Sequence, residues 1–431
     1  MSELQPMQRP PAARASGAAL ILGATVLSGV SGYLVIWSVA ASIGPARYAA
    51  FAVFWSALYL AVGILSGLQQ ESARATVARE ISDAPRATKA SLVPYGALFA
   101  VVVLIVVGLS GLWWGPVSLG AAHAGLVLPV AVGAALDCGV AVLTGVLAGS
   151  QMWRLAALAL GLDGVLRLVF VVVALLVGAD VNGLAWAVVL PFPLVVIIVV
   201  AFAPGRIRAA ARTAMSLMEF TRNAAQTMLA ASSTALLVNG FPLVLSLTAA
   251  ATAAAAGTDA SNLGALILAI TLTRAPILVP LMALQSFLIT RFAVAPERVR
   301  RTLLALVGAI LAATVLLGAA AWLWGGALLG LLFGAAFVLP PEVLIALIGS
   351  SGLVGVLCVT GPALLARNRH GAYTSGWVGA SVVTVAILFL PLPLELRSIL
   401  ALSLGPAVGI VIHAAALARR GRTATASAGR L

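Results

Sequence analysis

Four charged side chains stand where a membrane-spanning run would ordinarily carry none. Asp137, Asp163, Arg167 and Arg274 each fall inside a long apolar stretch. A charge at the centre of a bilayer costs at least ~2.5 kcal/mol on insertion scales, so each needs a partner or a task. Asp163 and Arg167 are four residues apart, which puts them on one helix face in reach of an ion pair. Asp137 lies 15 residues before Met152, and Arg167 lies 15 residues after it. With a turn at Met152, a rise of ~1.5 Å per residue sets both ~22 Å from that turn. A triad of Asp137, Asp163 and Arg167 follows. Read structurally, it is a buried salt bridge pinning a hairpin. Read functionally, two acids share one cation, so one acid can bind a proton, and Asp137 and Asp163 are candidates for proton coupling.

Arg274 is a different case. It sits 12 residues into an apolar run beginning near 262, ~18 Å deep by helical rise. The second half of the chain has no acid at mid-depth. Its counter-charge must come from the first half, from backbone carbonyls or from an anionic substrate such as a phosphate. The alternative is silent packing. Pro276 and Pro280 predict a kink beside it. Gln285, eleven residues on, returns to nearly the same face. Asn239, ahead of Gly240 and Pro242, is a further polar candidate whose alternative role is an interhelical hydrogen bond. Arg274, Arg167, Gln285 and Asn239 are thus the candidate substrate-binding residues.

No catalytic constellation accompanies them. His123, His370 and His413 lack zinc-type spacing, Cys138 and Cys358 lie alone in apolar runs, and no P-loop is present. The sequence therefore predicts neither an enzyme nor a bound metal or cofactor.

The elements that must hold these residues are read from hydropathy. Of 431 residues, 62% are hydrophobic and 9% charged, against about 25% charged in soluble proteins. Lipid must be the solvent for most of this surface. Twelve spans fit, at roughly 17–41, 48–68, 92–113, 124–149, 154–178, 183–203, 225–250, 262–289, 302–324, 341–366, 373–393 and 397–418. With both termini cytoplasmic, 21 of the 25 basic residues fall on the cytoplasmic side and only Arg47 and Arg397 in outer loops, as the positive-inside rule requires. The net charge of +13 is then a topology signal and an attraction to anionic membrane lipids, with no nucleic-acid partner implied.

The chain also echoes itself. Val30-Ser31-Gly32-Tyr33 pairs with Val238-Asn239-Gly240-Phe241, and Gly67-Leu68-Gln69 with Ala283-Leu284-Gln285, at offsets near half the length. The prediction is an all-α polytopic membrane protein of 12 transmembrane helices in two six-helix lobes. Residues 1–203 form the first lobe, 204–223 an interfacial amphipathic linker helix, 224–418 the second lobe and 419–431 a basic cytoplasmic tail. Gly325–Pro340 reads as a short interfacial or re-entrant helix. Gly145-xxx-Gly149 and Gly405-xxx-Gly409 read as close-packing notches.

Two short motifs point to a family. Gly44-Pro45-Ala46-Arg47-Tyr48-Ala49-Ala50-Phe51 resembles the G-P-x-x-Y-x-x-F turn of polysaccharide flippases in the multidrug/oligosaccharidyl-lipid/polysaccharide exporter superfamily. Leu331-Leu332-Phe333-Gly334-Ala335-Ala336-Phe337 resembles that family's L-x-F-G-x-x-F stretch. The resemblance implies a MATE-like fold whose lobes rock between inward- and outward-open states in the bacterial plasma membrane. It implies a lipid-linked anionic saccharide as cargo, with a polysaccharide polymerase and glycosyltransferases as working partners. Basic residues would hold the pyrophosphate, a role that fits Arg274 and Arg167. A proton- or cation-coupled multidrug exporter of the same fold and a non-transporting scaffold of cell-wall assembly are the rival readings.

Overall fold

The computed structural model describes residues 11–81, 90–256, 260–294 and 298–419. Fifteen α-helices run through them: α1 (Pro11–Ile81), α2 (Leu92–Leu119), α3 (Val127–Gly149), α4 (Trp153–Leu176), α5 (Val181–Val189), α6 (Pro191–Phe202), α7 (Pro204–Ala210), α8 (Leu217–Val238), α9 (Phe241–Ala256), α10 (Ala260–Val294), α11 (Val299–Ala320), α12 (Gly326–Phe333), α13 (Pro341–Leu365), α14 (His370–Leu388) and α15 (Leu394–Ala418). In hydrocarbon a helix satisfies its backbone polar groups internally, which is why apolar runs of this length fold this way.

Ten helical stretches among the described residues are long and apolar enough to cross a bilayer, and α8 with the start of α9 forms one further pair, bent by 68°. The protein is a multi-pass membrane protein. The first of the ten stretches, 59 residues long, is broken at Gly44 (φ 74°, ψ 165°). That conformation is open essentially to glycine alone, and the break falls between the first two spans read from the sequence.

Two corners share a local design. Gly120 (φ 74°, ψ 162°) ends α2 and opens a 3₁₀ turn over Ala121–Leu126. Gly334 (φ 95°, ψ 163°) ends α12 and opens a 3₁₀ turn over Ala335–Phe337. The segments Gly120-Ala121-Ala122-His123 and Gly334-Ala335-Ala336-Phe337 lie 214 positions apart, close to the offset of the sequence echoes.

The segment Gly325–Pro340 differs from its predicted form. A π-helical turn at Ala321–Gly325 joins α11 to α12, so helix continues to Phe333 instead of forming a separate re-entrant element. Residues 204–223 likewise do not form one continuous helix. They hold α7, a two-residue strand β2 (Arg212–Thr213) and the start of α8, with β2 paired antiparallel to β1 (Ala90–Ser91).

The chain packs as two units, residues 1–235 with 239–247, and residues 236–238 with 248–431. Most of α8 therefore belongs with the first unit, although its sequence position is that of the second lobe. Glycines on α1 explain this. A Cβ at Gly67 would stand 2.3 Å from the Met228 amide nitrogen, and one at Gly63 would stand 2.7 Å from the Ala235 Cβ. Without side chains there, α1 and α8 pack backbone to backbone. Asn223 of α8 also donates to the buried Glu71 carboxylate at 3.3 Å, and Arg74 pairs with the same carboxylate at 2.6 Å. Gly145 and Gly149 do act as notches, admitting the backbone of α1 at Gln69 and Ala73.

In the second unit, Leu357, Val359, Trp377 and Ala380 lie in the core. Gly405 and Gly409 of α15 let α14 approach closely. His413 is fully buried, with its Nδ1 2.8 Å from the Thr360 hydroxyl and its Nε2 3.2 Å from the Tyr373 carbonyl.

Candidate functional site

In the first unit the sequence triad comes together. Arg167 Nη2 donates to Asp163 Oδ1 at 2.6 Å, one turn away on α4. Its Nε donates to the Val188 carbonyl of α5 at 3.3 Å. The guanidinium carbon lies 5.5 Å from the centre of the Tyr59 ring of α1 and 5.1 Å from that of Phe192 of α6. Arg167 is 4% exposed, so ion pair, carbonyl and two aromatic faces together replace the water it loses.

Asp137, on α3, is 6% exposed. It interacts electrostatically with Asp163 and Arg167 and also with Tyr59. It makes no hydrogen bond or ion pair among the described residues. The cluster thus has one closed acid–base pair and one open carboxyl group beside it.

Asn239 occupies the break between α8 and α9. Its amide donates to the Tyr59 main-chain carbonyl at 3.1 Å. The Ser56 hydroxyl donates to the Asn239 carbonyl at 2.5 Å and accepts from the Leu243 amide at 3.1 Å. A break in a membrane helix frees backbone groups that need new partners, and the Ser56 hydroxyl supplies one here to both the Asn239 carbonyl and the Leu243 amide. This is the interhelical bonding that the sequence offered as Asn239's alternative role.

Arg274 belongs to the second unit. It is 6% exposed, and its Nη1 donates to the Leu237 carbonyl at 3.3 Å. Leu237 sits in the last turn of α8, where helix carbonyls lack intrahelical donors and a cation is favoured. Of the sources of negative charge considered from the sequence, a backbone carbonyl is therefore one that the structure uses. Gln285 lies on α10, but its side chain is outside the described residues. Among the described residues no group of three His, Cys, Asp or Glu converges as a metal site.

Arg397 corrects the sequence reading. Placed there in an outer loop, it is 1% exposed on α15, with Nη1 3.4 Å from the carbonyls of Thr248 and Leu388. Its long stem reaches inward to the middle of α9 and the last residue of α14. Tyr59, Trp55 and Ser56 are the site residues that sequence reasoning missed. Their one signal is a run of polar-tipped side chains in an otherwise aliphatic span.

This arrangement of helices has counterparts among solved structures. The chain has the fold of MATE transporters of the MOP superfamily. It is similar to the inward-facing conformation of a multidrug resistance MATE family transporter of that superfamily, with TM-score 0.69 and 14% identity over 94% of this chain and 98% of that one. It is similar to the eukaryotic MATE transporter AtDTX14, with TM-score 0.60 and 15% identity over 94% and 96%. It also resembles a MOP superfamily transporter from Pyrococcus furiosus described by a binding pocket of reverse polarity, with TM-score 0.60 and 16% identity over 93% and 95%.

In sequence, the chain is 36% identical over 414 residues to the uncharacterized protein Rv1510 of Mycobacterium tuberculosis, covering 95% of this chain and 93% of that protein. It is 35% identical over 416 residues to the uncharacterized protein Mb3654 of Mycobacterium bovis, covering 94% and 93%. The chain belongs to the family of these mycobacterial proteins. No family model matches it.

Proposed function

We propose that this protein is an exporter that moves a polyprenyl-pyrophosphate-linked oligosaccharide across the bacterial plasma membrane for envelope polysaccharide synthesis. The observation that carries the reading is Arg274, a buried guanidinium set beside the broken end of α8 in a transporter fold. A guanidinium offers forked donors matched to phosphate oxygens. Arg274, with Gln285 on the same helix, would hold the pyrophosphate while the prenyl tail stays in lipid. The transporter then lowers the cost of desolvating phosphate and sugar during passage. Arg167 and Asn239 border the polar cluster of the first unit, and Asp137 with Asp163 would take up the coupling proton. In this reading twelve spans form two lobes that alternate in access, both termini are cytoplasmic, and the chain works beside a polysaccharide polymerase and glycosyltransferases.

The test is translocation of a labelled lipid-linked saccharide in proteoliposomes. Wild type is expected to move it and Arg274→Ala to lose most of that activity. Undiminished transport by the variant would remove Arg274 from the mechanism.

A second reading is favoured by Asp137, whose open carboxyl group suits a coupling cation in a multidrug exporter. It predicts that a proton gradient drives ethidium out of the vesicles and that Asp137→Asn stops this. Transport of ethidium without transport of the lipid-linked saccharide would replace the first reading by the second.

A further inference from the structure

We propose that His413 is a proton-binding site of the second unit and that the Thr360 hydroxyl is the switch that receives the proton with it.

The hydrogen bonds decide which atom takes the proton. His413 Nε2 lies 3.2 Å from the Tyr373 carbonyl, which can only accept. Nε2 therefore carries a hydrogen, and in the neutral ring Nδ1 is the acceptor. The partner of Nδ1, 2.8 Å away, is the Thr360 hydroxyl. That hydroxyl has a second place to donate, the Leu357 carbonyl on the same helix at 3.0 Å. When the ring is neutral, Thr360 donates to Nδ1. When a proton is added, Nδ1–H donates to the Thr360 oxygen and the hydroxyl hydrogen turns to Leu357. Each ring nitrogen keeps its bond in both states, and no heavy atom has to move.

This separates the site from a histidine buried for packing alone. A backbone amide at Nδ1 would serve the neutral ring equally well, but on protonation two donors would face each other. A hydroxyl is donor and acceptor at once. His413 is 0% exposed, so a donor left unpaired there has no water to turn to.

The ring is also held in place. A Cβ at Gly376 of α14 would stand 2.2 Å from it, so the imidazole fills the space a side chain would need. The Tyr373 ring stacks with it, at 6.3 Å between centroids and 17° between planes. His413 stands five residues before Ala418, the last of α15, or ~8 Å inside that end by helical rise.

α13 and α14 are the helices packed most extensively on α15. At this level α13 brings Cys358, which interacts with Arg274 of α10, and α14 brings Tyr373, with His370 exposed at its start. Arg367 and Arg369, in the turn between α13 and α14, donate to the carbonyls of Leu417, Ala416 and Arg419, beyond the ring. On α15 itself, Glu395 and Arg397 lie at the opposite end. His413 forms no ion pair among the described residues. The added charge is therefore received by Thr360 and the Tyr373 carbonyl.

The experiment is a titration of the full chain in lipid nanodiscs, with the histidine rings labelled with 13C and 15N and followed by NMR. The His413 signal is identified by its absence in His413→Gln. In wild type the neutral ring is expected as the Nε2–H tautomer and is expected to take up one proton reversibly between about pH 5 and 8, with the fold intact at both ends. Thr360→Ser keeps the hydroxyl and should titrate as wild type. Thr360→Val leaves the charged Nδ1–H without its acceptor and should bind the proton about five- to tenfold more weakly, since bonds to charged groups are the stronger ones. A neutral ring carrying its hydrogen on Nδ1 overturns the proposal. So does a ring that stays neutral throughout, or one that charges only as the protein unfolds. Equal proton affinity in Thr360→Val and wild type overturns the role of the hydroxyl. The wild-type tautomer and titration decide the matter even where Thr360→Val does not fold.

Discussion

Gly67 of α1 and Met228 of α8 approach so closely that a Cβ on the glycine would stand 2.3 Å from the methionine amide nitrogen. The atom in the way is backbone, which cannot swing aside. Gly67→Ala is therefore expected to destabilise the first unit by about 1–3 kcal/mol, the usual range for overpacking. Thermal unfolding in nanodiscs would show a lower midpoint for it than for Gly23→Ala, where a Cβ meets nothing within 4 Å. Equal midpoints would mean that the two helices are less tightly apposed than described.

The Asp163–Arg167 pair allows a sharper comparison. Arg167→Leu leaves Asp163 and Asp137 without their buried cation and should cost about 3–5 kcal/mol. The double variant Asp163→Leu/Arg167→Leu removes both members and should recover much of that loss. Additive destabilisation in the double variant would contradict the pairing. Chemical denaturation of wild type, both single variants and the double variant measures the coupling directly.

His413 and Gly376 give a third prediction. A Cβ at Gly376 would lie 2.2 Å from the His413 ring. Gly376→Ala alone should lower the unfolding midpoint, because the ring is anchored at both nitrogens. In a His413→Ala background the same glycine change should cost far less, since the obstacle is gone. A penalty of the same size in both backgrounds would place the histidine ring elsewhere.

The corner glycines test backbone conformation instead of packing. Gly120 and Gly334 have positive φ, and a Cβ on either meets nothing within 4 Å. Any penalty for Gly120→Ala or Gly334→Ala then comes from φ/ψ strain, about 1–3 kcal/mol each. Gly125→Ala, likewise unobstructed but without a positive φ, is the control expected to be near neutral.

How far the sequence reveals this architecture differs from residue to residue. The Asp137–Asp163–Arg167 cluster is legible because helical rise turns equal distances from Met152 into equal depth. The break at Asn239-Gly240 is legible as a polar residue before glycine and proline, though the 68° bend is not. Tyr59 and Trp55 are hidden because aromatic side chains in an apolar span look like filler until their neighbours are known. Hydropathy divides the chain by length and so assigns α8 to the second half. Its packing partner is chosen by Gly63 and Gly67, whose meaning depends on a helix about 160 residues away. Arg397 is misplaced because a basic residue at the edge of an apolar run reads as a loop, while its stem turns it inward to the carbonyls of Thr248 and Leu388.

The paired Gly-Ala-Ala corners differ in the side chain that closes them. Their backbones match, but one ends in His123, partly exposed, and the other in Phe337, 1% exposed. One copy thus keeps a polar imidazole where its counterpart keeps an apolar phenyl ring. Two corners alike in backbone are thus chemically unlike at matching stations, and exchanging the two rings would ask whether the Gly334 corner tolerates a polar ring at so buried a place.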